Sequence, residues 1–181
     1  PLVSFFNSLD MELISVERIS PQGGSIRLYV QKNNGPYKKD ASVQEIVRLE
    51  ENYGLDNVEI FRDFNDRNNA NKEVLTSILR SIKDEGKHIA GYGAPTKSTT
   101  LLSHFKIGKN ILDFIVDDNP LKQGKFSPGF HIPIMNSDEL YEKMPDYLVI
   151  LAWNFSDSIM RKHKKYKDRG GKFILPMPEA H

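Results

Sequence analysis

The sequence contains no cysteine, which excludes disulfides, thiolate zinc sites and thiol nucleophiles. It also lacks a long apolar run. Leu148–Trp153 is about the longest, far short of the ~20 residues a membrane span needs. Charge of one sign is not in excess, with 25 Lys and Arg against 24 Asp and Glu and a formal charge of +1. That balance offers no electrostatic footprint for nucleic acid or an anionic membrane. No basic-then-apolar leader opens the chain, so nothing marks it for secretion and a cytoplasmic location is expected. His-Glu-x-x-His, Gly-x-Ser-x-Gly and a Walker lysine motif are all missing. The first residue is Pro1 rather than Met, which reads as a processed or excised piece of something longer.

What remains is 181 residues, 39% hydrophobic and 27% charged. That is enough for one domain, or one with a small appendage, around a real core. No internal repeat or low-complexity segment interrupts it. The character changes near Lys87, which divides the chain into an N-terminal subdomain or linker, 1–86, and a second domain, 87–178. In the first part, Met11–Ile19 alternates loosely and Ser25–Gln31 strictly, predicting two strands joined through Ser20-Pro21-Gln22-Gly23-Gly24. Ser42-Val43-Gln44-Glu45 has the form of a capping box opening a helix. Asp56-Asn57-Val58-Glu59 is a second start, with Asp as the cap. The helix behind it is long, with Phe61, Phe64, Asn68, Asn71, Leu75, Ile78 and Ile82 at spacings of three and four. The asparagines in that stripe suggest a stretch crossing open solvent between packed ends, or a face awaiting a missing partner.

After Gly86 strands and helices alternate. Strands are predicted at Lys87–Tyr92, Ile111–Val116, Asp146–Leu151 and Phe173–Leu175, with a short edge strand near Ile134. Helices are predicted at Thr96–Phe105, Asn136–Lys143 and Asn154–Arg169, the last capped by Asn154 and stopped by Gly170-Gly171. The pattern implies an α/β, Rossmann-like fold: an open, mainly parallel sheet with helices on both faces, preceded by a β-hairpin and two helices.

Such sheets bind ligands at the carboxyl ends of their strands. The first strand ends in Gly91-Tyr92-Gly93-Ala94-Pro95-Thr96-Lys97, where two glycines allow a tight turn and Lys97 offers a cation. The dinucleotide fingerprint is incomplete: Thr96 stands at the third small position and Pro95 removes one N–H. A purely structural turn is the competing reading. Asp117, 26 residues after Gly91, falls about where a ribose-binding carboxylate sits, or is a turn aspartate. The following loop, through Asn119, Lys122 and Gln123, carries the amides and lysines that sugars and phosphates require. A solvated polar loop looks the same. Of the five histidines, His88, His104, His131 and His163 are scattered without metal-ligand spacing and read as surface or packing residues. Trp153-Asn154 is either a crevice residue pair or an aromatic plug with a helix cap.

Taken together, Gly91–Lys97 with Thr100-Leu101-Leu102, then Val116-Asp117-Asp118-Asn119-Pro120-Leu121-Lys122-Gln123-Gly124, then Pro128–Ile134, resemble the C-terminal domain of S-adenosylmethionine-dependent sugar C-methyltransferases. Asp146-Tyr147, Leu151–Phe155, Gly170–Pro176 and Gly23-Gly24-Ser25-Ile26-Arg27 continue the likeness. The resemblance implies a parent with a cysteine-held zinc domain and a middle domain that binds S-adenosylmethionine and carries the catalytic acid–base residues. It implies that this lobe holds a nucleotide-linked deoxy-keto-sugar. On it, Gly91, Tyr92, Gly93 and Ala94 form a phosphate-facing turn and Lys97 and Lys122 are phosphate partners. Asp117, Asn119 and Gln123 touch sugar or base. No catalytic residue, metal or cofactor is expected within the chain itself. Its partners are the nucleotide-sugar and the missing domains of the parent. Ser98, Ser103, Asp118 and Gln22 depart from the family's usual Gly, Asn, Arg and His, which bears on which sugar nucleotide is held. Two other readings stay open: a stand-alone nucleotide-binding or regulatory Rossmann module, and a nicotinamide-dependent oxidoreductase domain, which the absent third glycine disfavours.

Overall fold

Leu13 and Val16 are an odd number of residues apart, so a regular strand would turn them to opposite faces. In the computed structural model, which describes residues 1–181, they share a face. A bulge between Leu13 and Ser15 inserts one residue into β1 (Met11–Ile19) where it pairs antiparallel with β2 (Ser25–Lys32). Both side chains then bury against Val43 of α2 (Ser42–Tyr53), with half-buried Leu28, Val30 and Ile46 around them. These elements, with a short helix α1 (Leu2–Asn7) that the periodicity does not announce, belong to a compact unit spanning Pro1–Asn65.

The capping box at Ser42 is not formed. The Ser42 hydroxyl accepts the N–H of Val16 at 2.8 Å and donates to Asp40, whose carboxylate also takes the Ser42 amide at 2.9 Å. Asp40 therefore does the capping, and Ser42 ties α2 to β1. α3 (Val58–Asp84) starts one residue later than its sequence cap implies: Asn57, not Asp56, accepts the Glu59 amide at 3.0 Å.

The second unit, Asp66–His181, holds a five-stranded, wholly parallel sheet in the order β5-β4-β3-β6-β7. Its strands are β3 (Ile89–Tyr92), β4 (Phe114–Val116), β5 (Ile134–Met135), β6 (Tyr147–Ile150) and β7 (Lys172–Ile174). Each paired core is shorter than its apolar run. Alternation sends Ile89, Ile115 and Val149 to one face, against Leu75, Leu79 and Ile82 of α3 and Leu101, Leu102 and Phe105 of α4 (Thr96–Phe105). It sends Ala90, Tyr92, Phe114, Val116, Leu148 and Ile150 to the other. There they meet Leu140 of α5 (Glu139–Lys143), Ile159 of α6 (Ser156–Lys162) and Tyr166 of α7 (Lys164–Asp168). The compact unit thus begins before Lys87, because the last turns of α3 are part of its core.

Two sequence expectations change here. Asn154–Arg169 is not one helix capped by Asn154: a 3-10 turn (Trp153–Phe155) leads into α6, and the helix breaks at His163 before α7. Asn71 does not face open solvent either. Its amide donates to the Pro176 carbonyl at 2.8 Å, and its oxygen accepts the Ala180 N–H at 2.7 Å, so it clamps the C-terminal segment within this unit. Asn71→Ala should lower the unfolding free energy by about 2 kcal/mol, the sum of two modest hydrogen bonds, and speed proteolysis at 176–181. An unchanged digestion pattern would contradict the clamp.

Candidate functional site

The chain lays β4 and β5 on one side of β3, then returns to place β6 and β7 on the other. The order therefore reverses at β3, and the crevice expected at such a switch point is present. It measures about 340 Å³ and lies beyond the carboxyl ends of β3, β4 and β6, bounded by Tyr92, Gly93, Asp117, Asp118, Lys122 and Lys162 among others. Gly93 makes the exit from β3 possible. Its φ is +87°, and a Cβ there would stand 2.8 Å from Ala152 Cβ.

Asp117 is the organising residue. Its side chain is only 10% exposed. One oxygen accepts the Ala94 N–H at 2.6 Å and the Lys122 ammonium at 3.1 Å. The other accepts the Asn119 N–H at 2.8 Å. Gln123 closes the same loop by donating to the Asp117 carbonyl at 3.0 Å, and the Asn119 side chain accepts the Leu121 amide. Asp117 thus locks the β3–α4 turn to the loop after β4.

Beside it lies a chain of hydrogen bonds running from the interior to the crevice. Tyr92 Oη donates to Asp118 Oδ2 at 2.8 Å, which leaves it to accept from His163 Nε2 at 2.9 Å. His163 Nδ1 in turn accepts from Tyr141 Oη at 2.8 Å. Lys162 Nζ sits 2.7 Å from Asp118 Oδ2, both side chains half-exposed. Burial, aided by the Asp118 and Asp117 charges, pushes the Tyr92 hydroxyl far above its ordinary value. Burial also raises Asp118, but hydrogen bonds from Lys162, Tyr92 and Ser137 outweigh it and hold that carboxyl below the usual range.

His163, 2% exposed, is held below its ordinary 6.5 by burial and then by the Lys162 charge. The unfolded chain therefore takes up the proton first as the pH falls. Stability from this group is complete above pH 6.5 and declines as the pH drops from there toward the folded value. The urea midpoint should fall between pH 7 and 5, and His163→Gln should flatten that slope. An equal slope in both proteins would contradict the assignment.

Of the sequence-predicted residues, Tyr92, Gly93, Asp117 and Lys122 line the crevice. Gly91 does not: it is buried within β3, where a Cβ would press Leu151 Cδ1 at 2.8 Å. Ala94 gives its amide to Asp117. Lys97 Nζ is buried without a hydrogen-bond partner, 4.6 Å from the centre of the Trp153 ring, and burial lowers its pKa. Asn119 and Gln123 shape the loop rather than line the cavity. The sequence reading passed over Phe155, Ser158 and Lys162 as crevice residues. Ser158 and Lys162, four residues apart, share one face of α6, and Phe155 ends the 3-10 turn that leads into it. The zinc that the resemblance assigns to the parent finds no donor set here, since no three His, Asp or Glu side chains converge.

Compared with known proteins, the chain matches the model of the C-methyltransferase C-terminal domain over residues 20–178. It is 33% identical over 178 residues to the C-methyltransferase NovU of Streptomyces niveus, an alignment covering 98% of this chain and 42% of that protein. The chain thus spans less than half the length of that curated relative.

Proposed function

Because the chain belongs to the C-methyltransferase C-terminal domain family, we propose that it is the substrate-holding lobe of an S-adenosylmethionine-dependent methyltransferase acting on a nucleotide-linked deoxy-keto-sugar. The observation that carries this reading is the switch-point crevice with two lysines on its wall, each facing an aspartate. S-adenosylmethionine, bound by the remainder of such a protein, supplies the methyl group. The residues present here bind and orient.

In this reading Lys122 and Lys162 take the diphosphate as two point charges. Asp117 is already saturated by its own chain, so the role of ribose acceptor passes to half-exposed Asp118. Phe155, 51% exposed at the rim, offers a face on which a base stacks. The His163–Tyr92 pair holds the Asp118 carboxylate in place. Fixing the sugar in this way removes orientational freedom that would otherwise oppose methyl transfer, an effect on the order of several kcal/mol.

A dinucleotide reading is weaker. The Ala94 amide, which a pyrophosphate at the turn would need, is occupied by Asp117, and Pro95 has none to give. Titration calorimetry with dTDP, UDP, GDP, NAD and S-adenosylmethionine separates the readings. Saturable binding of one nucleoside diphosphate alone is expected. Preference for NAD, or silence toward all three diphosphates, would refute the proposal for this chain.

A further inference from the structure

The charged side chains that line the crevice are Asp117, Asp118, Lys122 and Lys162, and their charges cancel. Each lysine already faces an aspartate, Lys122 at 3.1 Å and Lys162 at 2.7 Å. A ligand with a negative charge on each of two phosphates therefore meets no free cation. When the ammonium groups turn to the phosphates, Asp117 and Asp118 lose their partners. Excess negative charge in a partly enclosed site is unfavourable. A proton taken up nearby removes part of it.

His163, at the break between α6 and α7, is placed to take that proton. The elements around it present Tyr92 from β3, with ring centres 4.8 Å apart, Tyr141 from α5 at 5.8 Å, and Lys162 from α6. Asp118 is joined to it through Tyr92. Lys165 of α7 lies over the Tyr141 ring at 5.9 Å, and the adjacent Lys164 is paired with Asp168. Burial first, then the Lys162 charge, keep the imidazole neutral, while Asp118 favours the cation. Lys162 is the pivot, 3.4 Å from Tyr92 Oη and 2.7 Å from Asp118. A phosphate on its ammonium cancels the charge that opposes the imidazolium and frees the Asp118 charge that favours it. The Asp118 carboxyl ordinarily titrates far below neutral pH and does not compete for the proton.

The hydrogen bonds accommodate the change. His163 Nε2 already donates to Tyr92 Oη, and Nδ1 accepts from Tyr141 Oη. The Tyr141 hydroxyl has only to rotate, becoming an acceptor and pointing its own hydrogen toward water, because Tyr141 is half-buried. Nothing on the Tyr92–Asp118 side has to move.

We propose that a nucleoside diphosphate sugar entering the crevice draws a proton from solution onto His163 Nδ1. The bond formed is Nδ1–H, the proton comes from the buffer acid, and the hydrogen bond given up is the one from Tyr141. The inference rests on the nucleotide-sugar reading above and adds a proton to that binding step.

Titration calorimetry with dTDP-glucose, UDP-glucose and GDP-glucose tests it, in PIPES and imidazole at pH 6.5 and in TAPS and Tris at pH 8.5. These esters lack the free terminal phosphate that itself titrates at about pH 6. Buffers with different heats of ionisation report the protons taken up. The sugar nucleotide that binds should take up about half a proton or more at pH 6.5 and almost none at pH 8.5. Its affinity should fall about five- to ten-fold between pH 6 and pH 8. His163→Gln keeps a donor toward Tyr92 and an acceptor toward Tyr141, and should bind with the proton uptake lost. In the unaltered protein at pH 6.5, imidazole 15N spectra should show one protonated ring nitrogen in free His163 and two at saturation. Binding that is blind to the buffer, uptake that survives His163→Gln, or a His163 ring unchanged by ligand would overturn the proposal and leave the holding role intact. Absence of binding by all three sugar nucleotides would overturn both.

Discussion

Asp117→Ala is expected to cost the sheet-bearing unit about 3 kcal/mol and to abolish the nucleotide binding proposed for the crevice. The carboxylate is nearly buried and accepts from two backbone amides and one ammonium. Removing an acceptor and leaving its donors unsatisfied in a buried site costs roughly 1–3 kcal/mol per group, more where charge is involved. The Ala94 and Asn119 amides are the main losers, since half-exposed Lys122 regains water. Asp117→Asn keeps one carbonyl oxygen and should fall between wild type and alanine. Urea unfolding of the three proteins measures the ordering. A loss below about 1 kcal/mol for alanine would mean that the loop does not depend on this carboxylate.

Gly171→Ala should be at least as damaging, for a different reason. A Cβ at this position would lie 2.2 Å from Tyr166 Cζ, with two further ring atoms within 2.5 Å. The ring cannot retreat. Tyr166 is fully buried, packs on Phe173 at 5.4 Å between centroids, and donates to the Pro145 carbonyl at 2.8 Å. Overpacking of this kind costs about 3 kcal/mol or more. Gly170→Ala is the control. Its neighbourhood is open, and its φ of +99° makes the penalty one of backbone strain alone, on the order of 1–2 kcal/mol. Thermal unfolding should therefore rank Gly171→Ala below Gly170→Ala. The reverse order would contradict the packing described for α7 and β7.

The parallel sheet was legible because its strands are continuous apolar runs separated by helix-length segments, the pattern of strands covered on both faces. Thr96–Phe105 was legible to the residue for a local reason: Pro95 precedes it and the apolar spacing stops at Phe105. The errors arise where a side chain finds a distant partner. Ser42 has the neighbours of a capping serine, yet its hydroxyl is consumed by Val16, 26 residues away. Neither Pro nor Gly marks His163, because the helix breaks there to send the ring to Tyr92 and Tyr141. At the candidate site, the position of Asp117 followed from strand length and spacing. Its direction did not: a strand-end carboxylate serves a ligand or a neighbouring amide equally well until the β3–α4 turn is placed against it. Lys162 was hidden for a milder reason. It belongs to a helix that looks like surface, and only the strand order of the sheet shows which end of that helix meets the crevice.

In a working crevice Lys122 and Lys162 would also touch the phosphates, whereas in a structural one they only hold Asp117 and Asp118. Calorimetric affinity for the preferred nucleoside diphosphate, in the wild type and in Lys122→Ala/Lys162→Ala, is the most direct test. Two lost phosphate contacts, each worth roughly 1.5–3 kcal/mol, should weaken binding by about 100-fold or more, with the fold unchanged by circular dichroism. Equal affinity in the two proteins would place the ligand elsewhere and leave the crevice as a structural seam of the sheet.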